Sequence, residues 1–204
     1  MNLIDRARNI LLTPKPEWEK INQEKADIPS IIFSYILPLA ALAAIAAFIG
    51  YSFIGETRGI FKVKSTNLGI YFALRFLLGA VASVFLSAFI IDTLAPTFNA
   101  EKNLDKTFQL VAYSYTASLV GGLFAILPAI AIVGLIAGIY GFYLLYLGLP
   151  VMKKAPEDKQ GAYFVVSVVV IIVSHFVVFY IVERILRAIF GNSMFGFGDV
   201  HISM

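Results

Sequence analysis

Cysteine is absent from this chain and charge is scarce, since only 14% of its 204 residues are Asp, Glu, Lys or Arg. Without cysteine there is no disulfide framework, no thiolate nucleophile and no cysteine metal site. The basic residues are scattered, with no run that could follow a nucleic-acid backbone, so we exclude nucleic acid as a partner. His175 and His201 have no carboxylate or second histidine three or four positions on, and we predict no metal and no cofactor.

Apolar residues dominate what is present. They make up 59% of the chain, and the mean hydropathy is +0.84. A soluble domain of this length cannot bury so much apolar surface, whereas helices of about 20 residues can cross a hydrocarbon core of about 30 Å. The sequence therefore predicts an all-α integral membrane bundle with five transmembrane helices, at residues 29–54, 69–95, 107–127, 128–151 and 161–187.

Two prolines shape these spans. The uncharged run between Lys106 and Lys153 would be about twice the bilayer thickness as a single helix, so it should cross twice. We place the break at Pro128, because proline is tolerated in the first turn of a new helix and not inside an old one. Pro38 lies inside the first span and should bend it.

The distribution of lysine and arginine predicts the orientation. With the N-terminus in the cytoplasm, the cytoplasmic segments carry ten basic residues and the opposite segments five, which follows the positive-inside rule. Residues 1–28 then form a cytoplasmic segment before the transmembrane domain of residues 29–190. Residues 191–204 become a short extracytoplasmic tail.

The N-terminal segment predicts short helices that lie at the membrane surface. Its apolar residues recur at helical spacing and its charged residues fall largely elsewhere, as in helices that lie in the headgroup plane. Tryptophan favours membrane interfaces, and lysines at the end of a span favour anionic headgroups. The predicted membrane-surface residues are accordingly Trp18, Lys153 and Lys154.

Ionisable residues within or beside the spans are the candidates for a ligand site. A charge in the bilayer is costly, so Arg75, Asp92, His175 and Glu183 each carry a functional hypothesis. A structural alternative stands beside each one. Arg75 and Asp92, about 25 Å apart on one helix, can each extend to headgroups or water. His175 can be a neutral hydrogen-bonding side chain, and Glu183 can pair with Arg187 four positions on.

Small residues recur four positions apart in several spans. Such spacing lets helix backbones approach closely in lipid, and we interpret it as packing within the bundle, with a homodimer face as the alternative. The pairs are Ala117 and Gly121, Ser118 and Gly122, Gly134 and Gly138, and Gly79 and Ser83.

Three stretches in order along the chain carry a family resemblance. They are "RARNILLTPKPEWEKI" near the N-terminus, "AYSYTASLVGGL" at residues 112–123, and "GIYGFYLLYLGLPVMKKAPEDKQGAY" before the last span. Together with the five spans, they resemble the bacterial branch of the Ypt-interacting protein (YIP) domain family, from about residue 8 to 187. The resemblance implies five spans with a cytoplasmic N-terminus. Eukaryotic members are linked to Rab-type GTPases, but the Asp-Leu-Tyr-Gly-Pro stretch that they carry is missing here, and no catalytic residue can be carried over.

These observations predict a noncatalytic protein of the bacterial inner membrane. We expect it to organise or bind membrane proteins or lipids, with the lipid bilayer, other membrane proteins and a second copy of the chain as candidate partners. The alternative is a channel, transporter or lipid-translocating protein that uses polar groups within the bundle. An intramembrane enzyme would need a constellation of acids, bases or metal ligands that the sequence lacks.

Overall fold

The computed structural model describes residues 2–58, 61–130, 132–190 and 201–203. Within these residues, five helical segments are long and apolar enough to cross a bilayer, which confirms the predicted all-α membrane bundle. We number them as span 1, Ile28–Ile54; span 2, Thr66–Phe98; span 3, Leu104–Ile126; span 4, Pro128–Lys153; and span 5, Glu157–Ile189. The two ends of the bundle are called the Lys153 end and the Pro128 end.

Two short helices precede span 1. They are α1, Leu3–Leu12, and α2, Pro14–Gln23. The side chain of Asn2 caps α1 by accepting a hydrogen bond from the Ile4 N–H at 3.1 Å. Proline needs no hydrogen-bond acceptor for its backbone nitrogen, so it suits the first position of α2. Both helices bury one face against the bundle, where α2 packs on span 4 and α1 contacts span 3.

Span 1 changes its helical pitch twice. It begins as α3, Ile28–Ile31, widens into a π-helical turn at Ile32–Ile36, continues as α4, Leu37–Ile49, and ends in a second π turn at Gly50–Ile54. Pro38 follows the first π turn directly. Because proline cannot donate to the carbonyl four residues earlier, the wider turn lets the helix pass it without a break.

A small antiparallel sheet, not predicted from the sequence, lies at the Pro128 end. Strand β2, Phe61–Lys64, pairs with β1, Glu56–Arg58, on one side and with β3, His201–Ser203, on the other. Gly55 turns the chain into β1 with a φ of 85°, a conformation that favours glycine. The rest of the predicted extracytoplasmic tail, 191–204, lies outside the described residues.

Spans 2 and 5 are long, nearly continuous helices that pack together. Span 2 consists of α5, Thr66–Leu94, and a 3₁₀ turn at Ala95–Phe98, while span 5 belongs to α9, Glu157–Phe190. Gly79 of α5 meets the ring of Phe179, and a Cβ at Gly79 would lie 2.8 Å from Phe179 Cε2. The small residue therefore serves contact between two helices of the same chain.

Spans 3 and 4 form the other close pair. A Cβ at Gly121 would lie 2.5 Å from the Cβ of Ala137 in span 4, so the backbones approach as the small-residue spacing predicted. This confirms packing within the bundle for Gly121. Span 3 consists of α6, Leu104–Ser114, α7, Thr116–Gly121, and a 3₁₀ turn at Gly122–Ile126; span 4 consists of a 3₁₀ turn at Pro128–Ile130 and α8, Ile132–Lys153.

Candidate functional site

The carboxylate of Asp92 lies inside the bundle at its Lys153 end. Its Oδ1 accepts hydrogen bonds from Lys153 Nζ, Thr107 Oγ1 and the backbone N–H of Asn103, each at 2.8 Å. Lys153 Nζ also donates to Thr107 Oγ1 at 2.5 Å. These contacts join spans 2, 3 and 4 at one point. We call Asp92, Thr107 and Lys153 the buried clasp.

The buried clasp corrects two predictions. Lys153 is 0% exposed and Asp92 is 5% exposed, so neither side chain extends to headgroups or water, and the membrane-surface position predicted for Lys153 is wrong. An ion pair is tolerated inside a protein when additional hydrogen bonds satisfy it, as Thr107 and Asn103 do here. The neighbouring Lys154 is 68% exposed and pairs with Glu101 at 3.0 Å. Its position at the membrane surface stays a prediction.

A second buried ion pair holds the N-terminal helices together. Arg6 of α1 donates to Glu17 of α2 at 2.6 Å and also to Glu24, and its Cζ lies 5.2 Å from the ring centre of Tyr113 in span 3. Burial by itself lowers the pKa of Arg6. The hydrogen bond with Glu24 and the surrounding charges outweigh burial, so this pKa lies above its ordinary value. Arg6 therefore stays charged and links α1, α2 and span 3.

Trp18 is buried between α2 and the bundle. It is 0% exposed, which makes the membrane-surface position predicted for it wrong. Its ring stands edge-on to Tyr113, with the ring centres 6.5 Å apart. On another side it contacts Gly148 of span 4, where a Cβ would lie 2.6 Å from Trp18 Cε2. The absence of a side chain at Gly148 therefore makes room for the indole ring.

Polar side chains inside the spans also bond to each other. The hydroxyl groups of Tyr35 in span 1 and Thr116 in span 3 lie 2.6 Å apart, and Thr116 Oγ1 donates to the Tyr113 carbonyl at 2.7 Å. This contact was not predicted from the sequence, and neither were the roles of Thr107 and Glu17. The available signal was the presence of hydroxyl groups in apolar helices, where an unpaired polar group is costly.

Arg75 and His175 meet at Phe179. The Arg75 guanidinium carbon lies 4.9 Å from the ring centre of Phe179, and the His175 ring centre lies 4.2 Å from it. The predicted hydrogen bond of His175 to a neighbouring helix is not found among the described residues. Glu183, one turn further along span 5, accepts from Arg187 Nη2 at 2.6 Å, which confirms the predicted ion pair. Among the four ligand candidates, the structure therefore brings Arg75 and His175 together and places Asp92 elsewhere.

An open-sided cavity of about 700 Å³ lies among spans 2, 3, 4 and 5. We call it the lateral cleft. At its mouth, Ile139 of span 4 is 62% exposed and Phe176 of span 5 is 71% exposed, so the opening faces sideways from the bundle. Its walls are mainly glycine and apolar side chains. The polar side chains in the wall are Ser114, Tyr115, Ser118 and His175.

Comparison with known proteins shows the family. The sequence profile of the Yip1 domain matches residues 8–180. The chain belongs to the Yip1 family. It is 32% identical over 152 residues to the inner membrane protein YohC of Escherichia coli strain K12, covering 72% of this chain and 77% of YohC. YohC of E. coli O6:H1 matches over the same lengths with the same identity.

No solved structure matches the chain. The family match confirms the resemblance seen in the sequence, and with the five apolar helices it establishes a multi-pass integral membrane protein. No group of three or more metal-ligating side chains occurs in the part of the chain that the structure describes.

Proposed function

We propose that this Yip1-family protein is a noncatalytic protein of the inner membrane that binds a lipid acyl chain in the lateral cleft. The cleft itself is the observation that carries the proposal. A cavity of about 700 Å³ is of the size that encloses small-molecule ligands, about 300 to 1,000 Å³. Its mouth lies between spans 4 and 5, where the surrounding solvent in a membrane is hydrocarbon.

The shape of the cleft favours an acyl chain over a helix from a second protein. Residues 134–142 of span 4 run along it for about 12 Å. A helix with side chains is about 10 to 12 Å wide, so it is about as wide as this stretch of the cleft is long. An acyl chain is much narrower and can bend around Phe76 and Phe142 in the walls.

The charged side chains support binding over transport. Asp92 and Lys153 satisfy each other in the buried clasp, and Glu183 is bound by Arg187. The lateral cleft offers hydroxyl groups and one imidazole but no carboxylate with which to carry an ion. We therefore favour lipid binding over a channel or transporter.

Filling the cleft tests this function. Gly138 lines the cleft, and a Cβ there would have only an ordinary contact, 3.6 Å from Ser118 Oγ, so Gly138→Leu should fold and occupy the space. A Cβ at Gly161 would meet no atom within 4 Å, so Gly161→Leu provides the control. We expect native mass spectrometry in mild detergent to find lipid on the wild type and on Gly161→Leu, but much less on Gly138→Leu. Equal lipid retention by all three would contradict the proposal.

A further inference from the structure

We propose that the lateral cleft selects an anionic phospholipid and that Arg75 binds its phosphate. This inference rests on the proposed function and adds the chemical class of the lipid. It starts from the position of Arg75 on span 2, nine residues after Thr66 and therefore about 14 Å along the helix. Span 2 has 33 residues, about 50 Å of helix, so it is longer than a hydrocarbon core of about 30 Å and begins outside it. The side chain of Arg75 can therefore extend to headgroup depth.

The charge of Arg75 is not matched within the described part of the chain. No ion pair joins its guanidinium to a described carboxylate, and its buried Nε has no hydrogen-bond partner there. The nearby acid, Glu183, is held by Arg187 through two hydrogen bonds of 3.1 and 2.6 Å. Leaving a guanidinium in a membrane segment without an anion is costly, and this favours an anion supplied from outside the chain.

Aromatic rings orient Arg75 and connect it with the cleft. Its Cζ lies 4.9 Å from the ring centre of Phe179 and 5.7 Å from that of Tyr71. Phe179, His175 and Phe76, the residue after Arg75, line the cleft. Cation–π contacts hold the guanidinium while its N–H groups can still donate, and a guanidinium matches the geometry of a phosphate.

The arrangement therefore combines a cation with an apolar groove that begins beside it. A phosphate on Arg75 places the acyl chain of the same molecule next to Phe76 and Phe179, from which the cleft continues towards Gly141 and Ser114. Free inorganic phosphate would use the cation but leave the groove empty. A phospholipid occupies both the cation and the groove. A net negative headgroup is favoured because no described carboxylate pairs with Arg75.

Competition between two lipids with identical acyl chains tests the inference. Purified protein in mild detergent is given equal amounts of phosphatidylglycerol, which is anionic, and phosphatidylcholine, which is zwitterionic, and bound lipid is counted by native mass spectrometry. We expect the wild type to prefer phosphatidylglycerol about tenfold, the ratio that about 1.4 kcal/mol produces. Arg75→Gln should bring the ratio close to one, whereas the control Arg184→Gln, an exposed arginine of span 5, should keep the preference.

The outcomes separate this inference from the proposed function. If the wild type binds both lipids equally, or if Arg75→Gln keeps the preference, the cleft binds lipid but Arg75 does not select it. If the wild type binds neither lipid, the proposed function fails as well. Should Arg75→Gln fail to fold, a phosphatidylglycerol with a photoreactive headgroup locates the site on the wild type. Crosslinks are expected within residues 71–79 or 175–183, and crosslinks confined to other segments would overturn the inference.

Discussion

The ammonium group of Lys153 lies 2.8 Å from the Asp92 carboxylate, although 61 residues separate them in the chain. Lys153 is the last residue of span 4, and Asp92 lies near the corresponding end of span 2. The backbone carbonyl of Lys153 also accepts from the Glu101 N–H at 2.9 Å, so the loop after span 2 is attached to the same residue. Lys153 therefore fixes how three spans meet at one end of the bundle.

Removing the lysine charge should destabilise the bundle strongly. In Lys153→Met the Asp92 carboxylate would stay buried without its counter-ion, which typically costs about 3 to 5 kcal/mol. Thermal unfolding in detergent, followed by circular dichroism, measures the loss. Lys154→Met is the matched control, because its exposed pair with Glu101 contributes at most about 1 kcal/mol. Similar melting temperatures for the two variants would contradict a structural role for the buried clasp.

Neutralising both charges should recover part of that stability. The double variant Asp92→Asn with Lys153→Met leaves no buried charge without a partner, so it should unfold at a higher temperature than Lys153→Met alone. The Asn side chain can still accept from the Asn103 N–H and from Thr107. If the losses of stability in the double variant are additive, Asp92 and Lys153 are not coupled. That result would contradict their interaction in the buried clasp.

The lengths of the apolar runs sufficed to predict five spans, because each span must cross the bilayer by itself and its own length shows whether it can. The burial of Lys153 could not be predicted in that way, since it depends on a contact between residues far apart in sequence. One signal was available: Asp92 and Lys153 fall at the same predicted membrane face with opposite charges. The position of Trp18 was mispredicted for a similar reason. Its ring packs into the space left by the absent side chain of Gly148, a residue distant in sequence.

The N-terminal helices should detach when Arg6 loses its charge. Arg6→Met removes the closer of two cations from Glu17, which is 1% exposed and keeps only the longer contact with Lys20 at 3.7 Å, and it weakens the link between α1 and α2. Trp18, the only tryptophan of the chain, is fully buried and reports on this docking. We expect its fluorescence emission to shift to longer wavelength in Arg6→Met. The control Arg8→Met removes an exposed arginine from the same helix and should leave the emission unchanged.

A side chain at position 148 should displace the same tryptophan by a steric route. A Cβ there would lie 2.6 Å from Trp18 Cε2 and 2.7 Å from Leu110 Cδ1, so Gly148→Leu cannot be accommodated without movement of α2. We expect a loss of about 1 to 3 kcal/mol, the usual cost of overpacking, together with faster proteolysis before residue 28. Gly161→Leu introduces the same side chain into open space and should behave like the wild type. Unchanged proteolysis of Gly148→Leu would contradict the docking of α2 on span 4.

The predicted orientation can be tested with single cysteines, because the chain contains none and the wild type gives no background. Thr66 lies exposed at the Pro128 end and Lys154 lies exposed at the Lys153 end. The excess of lysine and arginine places the Lys153 end in the cytoplasm. A membrane-impermeant maleimide should therefore label Thr66→Cys in spheroplasts, and label Lys154→Cys only after the membrane is permeabilised. The reverse labelling pattern would show that the protein has the opposite orientation. Arg75 would then lie towards the cytoplasmic leaflet, and the anionic lipids of that leaflet would supply the phosphate.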